Sequence, residues 1–222
     1  MKFLLFLFSV FLFTVSCKDN TVIYDSCGYF EAEEWTVAAS AAGKIITLNI
    51  EEGSTVTAEM PIGLIDTVQL QLQKELLLLQ PKSKMRDIQE KQINYQLKQC
   101  VITAVASGIV TEKYAKRGEM VAVGHPLIKI ANIENMYLRI YVTSARVRNI
   151  KIGQEVEITL DNSSNSALDK YKGKIEWISA AAEFTPKTIQ TEDERQNMVY
   201  AVKIAVKNDG NIKTGSYAEV KF

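Results

Sequence analysis

The sequence is poor in the residues that most site chemistry needs. It has one histidine and three cysteines, and His125 stands in a Gly-His-Pro turn with no cysteine near it in the chain. Zinc sites draw on several Cys and His side chains at short spacing, so neither a metal nor any other cofactor is expected. No glycine-rich loop follows a strand and opens a helix, which removes the phosphate-cradling signature. Net charge is lacking too. The 26 basic residues balance 26 acidic ones, whereas nucleic-acid binders are basic overall or on one face. Neighbouring carboxylates at Glu33 and Glu34, Glu51 and Glu52, and Glu192 and Asp193 fall in turns or on polar faces, where they solubilise the chain. No catalysis is expected.

Only one long apolar run occurs, over residues 3–15, and it is too short to span a bilayer as a stable helix. Preceded by Lys2 and followed by Ser16, it suits a secretory signal peptide over residues 1–16. Cys17, directly after it, resembles the lipobox cysteine of bacterial lipoproteins, although Thr14 stands where a leucine is usual. Two or more acyl chains anchor a protein stably where one does not, so an acylated Cys17 would tether the chain to a membrane. Residues 17–27 then serve as anchor and spacer. Cys27 and Cys100 remain in the exported chain. Export permits a disulfide between them, but both are expected as free thiols.

A pattern that occurs twice organises the rest. Sliding one copy on the other superposes Gly43 on Gly108, Gly53 on Gly118, Val56 on Val121, Pro61 on Pro126 and Ile65 on Ile130. A shared register of this kind marks internal repetition, and two copies are too few for a solenoid. They read as halves of one β module, residues 28–66 and 100–132. Tyr29, Phe30, Trp35, Val37, Ile45, Ile46 and Leu48 have strand chemistry. Gly43, Gly53, Gly108 and Gly118 are read as structural turns, where a β-branched replacement at positive φ should cost about 1 kcal/mol or more.

Between the copies lies an insert of another kind, residues 67–99. Ile65, Val68, Leu72, Leu76 and Leu79 fall on one helical stripe, which Leu77 and Leu78 widen. Pro81 breaks the pattern, because proline cannot continue a helix. A second helix carries Met85, Ile88, Ile93 and Leu97. The insert is therefore an antiparallel, coiled-coil-like helical hairpin, protruding about 20 Å at 1.5 Å per residue. Its tip holds Pro81, Lys82, Ser83, Lys84, Met85 and Arg86, and is the expected contact with a partner.

From residue 133 to 222 apolar residues alternate over several short segments. Met136, Leu138, Ile140 and Val142 come first, followed by Val156 and Ile158, by Ile175 and Trp177, by Val202, Ile204 and Val206, and finally by Ala218 and Val220. Turn signals between them point to a closed or nearly closed β-barrel. Residues 161–167 and 191–195 read as loops. The whole is mainly β with a short α-helical hairpin.

The split β module resembles the biotinyl/lipoyl-like barrel-sandwich domain of periplasmic adaptor, or membrane fusion, proteins of the HlyD-like family. The segment from Ala106-Ser107-Gly108 through Ile158 is similar to that family's return half and its entry into the barrel. Residues 177–206 look like the barrel of adaptors paired with ABC-type exporters. The resemblance implies an adaptor subunit of an efflux or secretion transporter, held in the periplasm of a Gram-negative bacterium by its lipid anchor. It implies an inner-membrane transporter as partner, ABC-type favoured, and a homo-oligomer. An outer-membrane channel is a lesser expectation, because the insert is much shorter than most hairpins of the family. The chain also stops after the barrel, without the membrane-proximal domain of some subfamilies. A lipid-anchored envelope protein with a reduced transport role is the alternative. A biotin or lipoyl carrier is a further one, although Lys74 lies in a helical stripe rather than on the exposed turn that carriers modify.

Overall fold

A computed structural model of the chain describes residues 25–160, 169–184 and 198–222. The expected signal peptide, Cys17 and the loops expected at 161–167 and 191–195 lie outside the described residues.

Two long antiparallel strands, β1 (Ser26–Ala38) and β8 (Pro126–Thr143), form a spine. Their register shifts twice, by one residue of β8 between Val37 and Ala38 and more widely at Ala32. Ala32 faces Met136, and the next residue, Glu33, faces Asn132, so residues 133–135 are extra on β8. Asn132 Oδ1 accepts hydrogen bonds from the backbone N–H groups of Glu134 and Asn135, at 3.1 and 3.2 Å. Asn208 holds the same kink from outside, its backbone N–H donating to the Glu134 carbonyl and its side-chain amide to the Ile133 carbonyl. Those bonds satisfy backbone groups that the ladder no longer reaches.

On one side of the kink is the sandwich. The first copy of the repeat supplies β2 (Gly43–Leu48), β3 (Thr55–Val56) and β4 (Pro61–Ile65). The second copy supplies β6 (Gly108–Lys113) and β7 (Met120–Val121), while β5 (Val101–Thr103) precedes it. One sheet contains β1, β8, β6 and β3, and the other runs β5, β4, β2, β7. The copies are interlocked rather than stacked. Gly43 pairs with Val121, and Gly108 pairs with Val56, which is the same pair with the copies exchanged. The turns repeat the exchange. Gly53 N–H donates to the Val110 carbonyl and Gly118 N–H to the Ile45 carbonyl, both at 2.8 Å. Ile45, Val56 and Ile65 are buried together with their counterparts Val110, Val121 and Ile130. Each copy completes the other's sheet.

Two of the four repeat glycines are not in turns. Gly53 and Gly118 have φ of 86° and 93° and open space around them. Gly43 and Gly108 instead open strands β2 and β6. A Cβ at Gly108 would stand 2.3 Å from the Ala131 carbonyl oxygen, and one at Gly43 2.8 Å from Ile65 Cγ2. Close packing makes Gly108 glycine, and Gly43 also holds φ of 155°, a conformation that side-chain-bearing residues rarely adopt.

On the other side of the kink, residues 26–32 and 136–143 join β9 (Glu155–Leu160), β10 (Lys170–Ile178), β12 (Met198–Lys207) and β13 (Tyr217–Lys221). The order β1–β8–β12–β10–β9–β13 returns to β1, so six antiparallel strands close a barrel. The short β11 (Glu183–Phe184) pairs with one end of β12. The alternation read from the sequence fills the barrel. Met136, Leu138, Ile140 and Val142 from β8 meet Val202, Ile204 and Val206 from β12 and Phe30 from β1. The boundary expected at residue 28 needs correction, because residues 28–32 are a barrel stave and the sandwich share of β1 begins at Glu33. Strand alternation looks the same whichever partner the strand has, so it could not place that boundary.

Candidate partner-contact site

The insert folds as α1 (Val68–Leu78) and α2 (Lys84–Gln99), two helices in contact with each other. Asp66 starts α1, its carboxylate accepting from Val68 N–H at 2.9 Å. Ser83 caps α2, its hydroxyl accepting from Arg86 N–H at 3.2 Å. That capping bond satisfies one of the orphan donors of a helix start. Sixteen residues make α2 about 24 Å long at 1.5 Å per residue.

The tip residues named from the sequence divide into two kinds. Pro81, Lys82, Ser83, Lys84 and Met85 are exposed. Arg86 is half-buried and turns inward, with Nη1 donating to the Gln80 carbonyl at 2.7 Å. That bond ties the guanidinium across the tip, while its Nε–H has no acceptor among the described residues.

The apolar stripe of α1 faces outward. Leu77 is the buried residue of that helix and Leu70 packs on the sandwich core, whereas Val68, Leu72, Leu76 and Leu79 are exposed, Leu79 by 83%. The expectation of one stripe through Val68, Leu72, Leu76 and Leu79 was right about spacing, and the burial belongs to the neighbouring phase. Four consecutive leucines, Leu76 to Leu79, supply both phases, so periodicity had no means to choose between them. On α2, Met85, Ile88 and Tyr95 are exposed as well. Large apolar side chains left exposed along one helical stripe mark a place of association. This outward face was missed. Its signal was the excess of leucine over what one seam can bury.

At the hairpin's base a cleft of about 510 Å³ is lined by Gly43, Lys44, Asp66, Leu70, Cys100 and Met120. Burial pushes the Cys100 thiol up, and the nearby Asp66 carboxylate adds to the shift. Cys100 is buried, Cys27 is exposed, and neither is in a disulfide. His125 is exposed in its turn, and Lys74 lies within α1. Among the described residues no group of three His, Cys, Asp or Glu side chains is placed to hold a metal, and no helix is long and apolar enough to cross a membrane.

A sandwich split by a helical hairpin and continued by a closed barrel is the fold of the membrane fusion, or periplasmic adaptor, proteins. The likeness to the HlyD-like family stands on that architecture. The chain superposes on a chimera of MacA carrying the α-hairpin domain of Pseudomonas aeruginosa MexA, with a TM-score of 0.69, 17% identity, and coverage of 89% of this chain and 80% of the other. It superposes on the membrane fusion protein Spr0693 of Streptococcus pneumoniae R6 with a TM-score of 0.63, 17% identity and coverage of 88% and 96%. In sequence it is similar to a UPF0194 membrane protein of Yersinia pseudotuberculosis, 28% identical over 127 residues. That match takes in 57% of this chain and spans 38% of the relative's length. No family model matches the chain.

Proposed function

We propose that the protein is an adaptor subunit of an efflux or secretion transporter, with no catalysis of its own. Acylated Cys17 holds it to a membrane facing the periplasm of a Gram-negative bacterium. Its partner is an inner-membrane transporter, ABC-type in this reading, and the protein acts as a homo-oligomer. The outward apolar face of α1, with Val68, Leu72, Leu76 and Leu79 exposed, is the observation that carries the proposal. Those side chains gain stability only when something covers them, at roughly 25 cal/mol per Å² of apolar surface removed from water. The inserted hairpin puts this face on two helices at the edge of the body, and the tip residues Pro81, Lys82, Ser83, Lys84 and Met85 extend it.

Affinity capture of the protein from membranes in gentle detergent tests the reading. A multispanning transporter component should come with it. Leu72→Glu combined with Leu79→Glu should lose that component while the circular dichroism spectrum is unchanged. Capture from the protein's own cells with no transporter component would overturn the adaptor role. The anchor has its own test, since Cys17→Ser should release the protein from membranes washed at alkaline pH.

A further inference from the structure

The outer face of the barrel carries a groove of about 640 Å³ that the adaptor reading does not use. That volume lies inside the range of about 300–1,000 Å³ common for small-molecule sites. A β-bulge shapes it. β10 and β12 are in register at Ile175, which faces Ile204, and again at Trp177, which faces Lys203, leaving Glu176 as an extra residue. A bulge re-aims the side chains beside it. Here Ile175 enters the core, and both Glu176 and Trp177 are exposed, Trp177 by 42%. A tryptophan at a position read as inward is thereby turned out onto the surface.

The groove already holds a cation. Lys203 Nζ lies 5.7 Å from the centroid of the Tyr137 ring and 6.0 Å from that of Trp177. Two π faces within about 6 Å of one charge make an attractive site for it. The charge balance favours a second cation. Arg139 Nε donates to Glu31 at 2.8 Å, which neutralises that pair. Glu33 and Glu176 line the same groove with Lys203, so three carboxylates against two cations leave one negative charge unmatched. Both carboxylates are close enough to Tyr137 to help burial raise its phenol pKa.

We infer that this groove binds a small organic cation bearing a guanidinium or alkylammonium group. The ligand stacks on Trp177 and Tyr137 beside Glu33 and Glu176, and Lys203 is a resident placeholder that it displaces. The lysine's flexible four-carbon stem lets its ammonium swing into water when another cation takes the ring faces. A planar guanidinium adds hydrogen bonds to carboxylates that a displaced lysine did not make.

The chain has two tryptophans, Trp35 and Trp177, so two indole N–H signals report on the whole protein in solution NMR. Titration with ethylguanidinium chloride should shift the Trp177 signal to saturation and leave Trp35 in place. Ethylurea, its neutral isostere, should move neither. Lys203→Met should tighten the ethylguanidinium midpoint by roughly two- to fivefold, the scale of one exposed cation–π contact. Glu176→Gln should weaken it. The Trp35 signal shows that each variant is folded. An equal response to ethylurea, a shift that never saturates, or weaker binding by Lys203→Met would overturn the inference. None of these readings depends on whether a transporter is bound.

Discussion

The two copies of the repeat share their hydrogen bonds and differ in what limits each position. Gly108 lies against backbone, the Ala131 carbonyl, and its counterpart Gly43 lies against a side chain, Ile65. Gly124 has φ of 85° in the turn before β8, and its counterpart Glu59 holds φ of 64° in the turn before β4. Both donate the same bond, Gly124 N–H to the Ala39 carbonyl and Glu59 N–H to the Ala104 carbonyl, each at 2.8 Å. Shared bonds thus fix the path of the chain, while neighbours and side chains decide how much strain each copy carries. The second copy, which continues into the barrel, is the less strained at its turn and the more confined at its first strand.

Valine substitution at the two strand glycines should separate the copies most. Gly108→Val meets a backbone carbonyl that cannot move aside and should cost about 3 kcal/mol or more, whereas Gly43→Val displaces one methyl group, carries backbone strain at φ of 155°, and should cost about 1 kcal/mol less. Urea unfolding midpoints decide it, and equal losses would mean that the surroundings of the two glycines are interchangeable. The turn glycines should instead show the copies as equals. Gly53→Ala and Gly118→Ala have no neighbour to strike, so each should lose about 1 kcal/mol from backbone strain alone.

Exchange at the remaining turn should be smaller and of opposite sign in the two copies. Gly124→Glu should cost about 1 kcal/mol, and Glu59→Gly should gain about 0.5 kcal/mol, because relief of the left-handed glutamate is partly offset by the freedom glycine has when unfolded. Thermal unfolding of the two variants side by side reads the difference. A last prediction concerns the barrel alone. Tyr29, on a barrel stave, is pushed up to about 12 by burial, by its hydrogen bond with Tyr141 and by nearby Glu31. Its folded value then exceeds its unfolded value near 10, so its contribution is complete below pH 10 and is lost as pH rises toward 12. Tyr29→Phe should flatten that part of the stability profile, followed by urea unfolding between pH 9 and pH 12.

Much of this architecture was legible. The repeat register, from Gly43 on Gly108 to Ile65 on Ile130, is written in residue identity because both copies face the same core. The barrel strands were legible for a related reason, since Met136, Leu138, Ile140 and Val142 alternate against a single interior. What escaped depends on partners rather than on the element itself. Alternation in β1 could not say that Phe30 serves one core and Val37 another. Leucine spacing in α1 could not say which of two available faces meets the sandwich. The bulge at Glu176 was invisible too, because a one-residue register slip leaves no local mark and only turns Trp177 to the other side.

The double membership of β1 also orders assembly in time. Its sandwich half needs only β8, but its barrel half is sealed by β13, and Phe222 N–H donates to Asp25 Oδ2 across a separation of 197 residues. Contacts so distant in sequence form late, because the intervening chain must first be brought together. A chain emerging from its first residue onward can close the sandwich while the strand from Ser26 to Ala32 still shows one bare edge. Until the last stave docks, Phe30 and the inward residues of β8 stand open to strands from other molecules. The aggregation hazard of this protein is therefore a barrel waiting for its final strand, and a chaperone that shields that edge would raise the yield of folded protein.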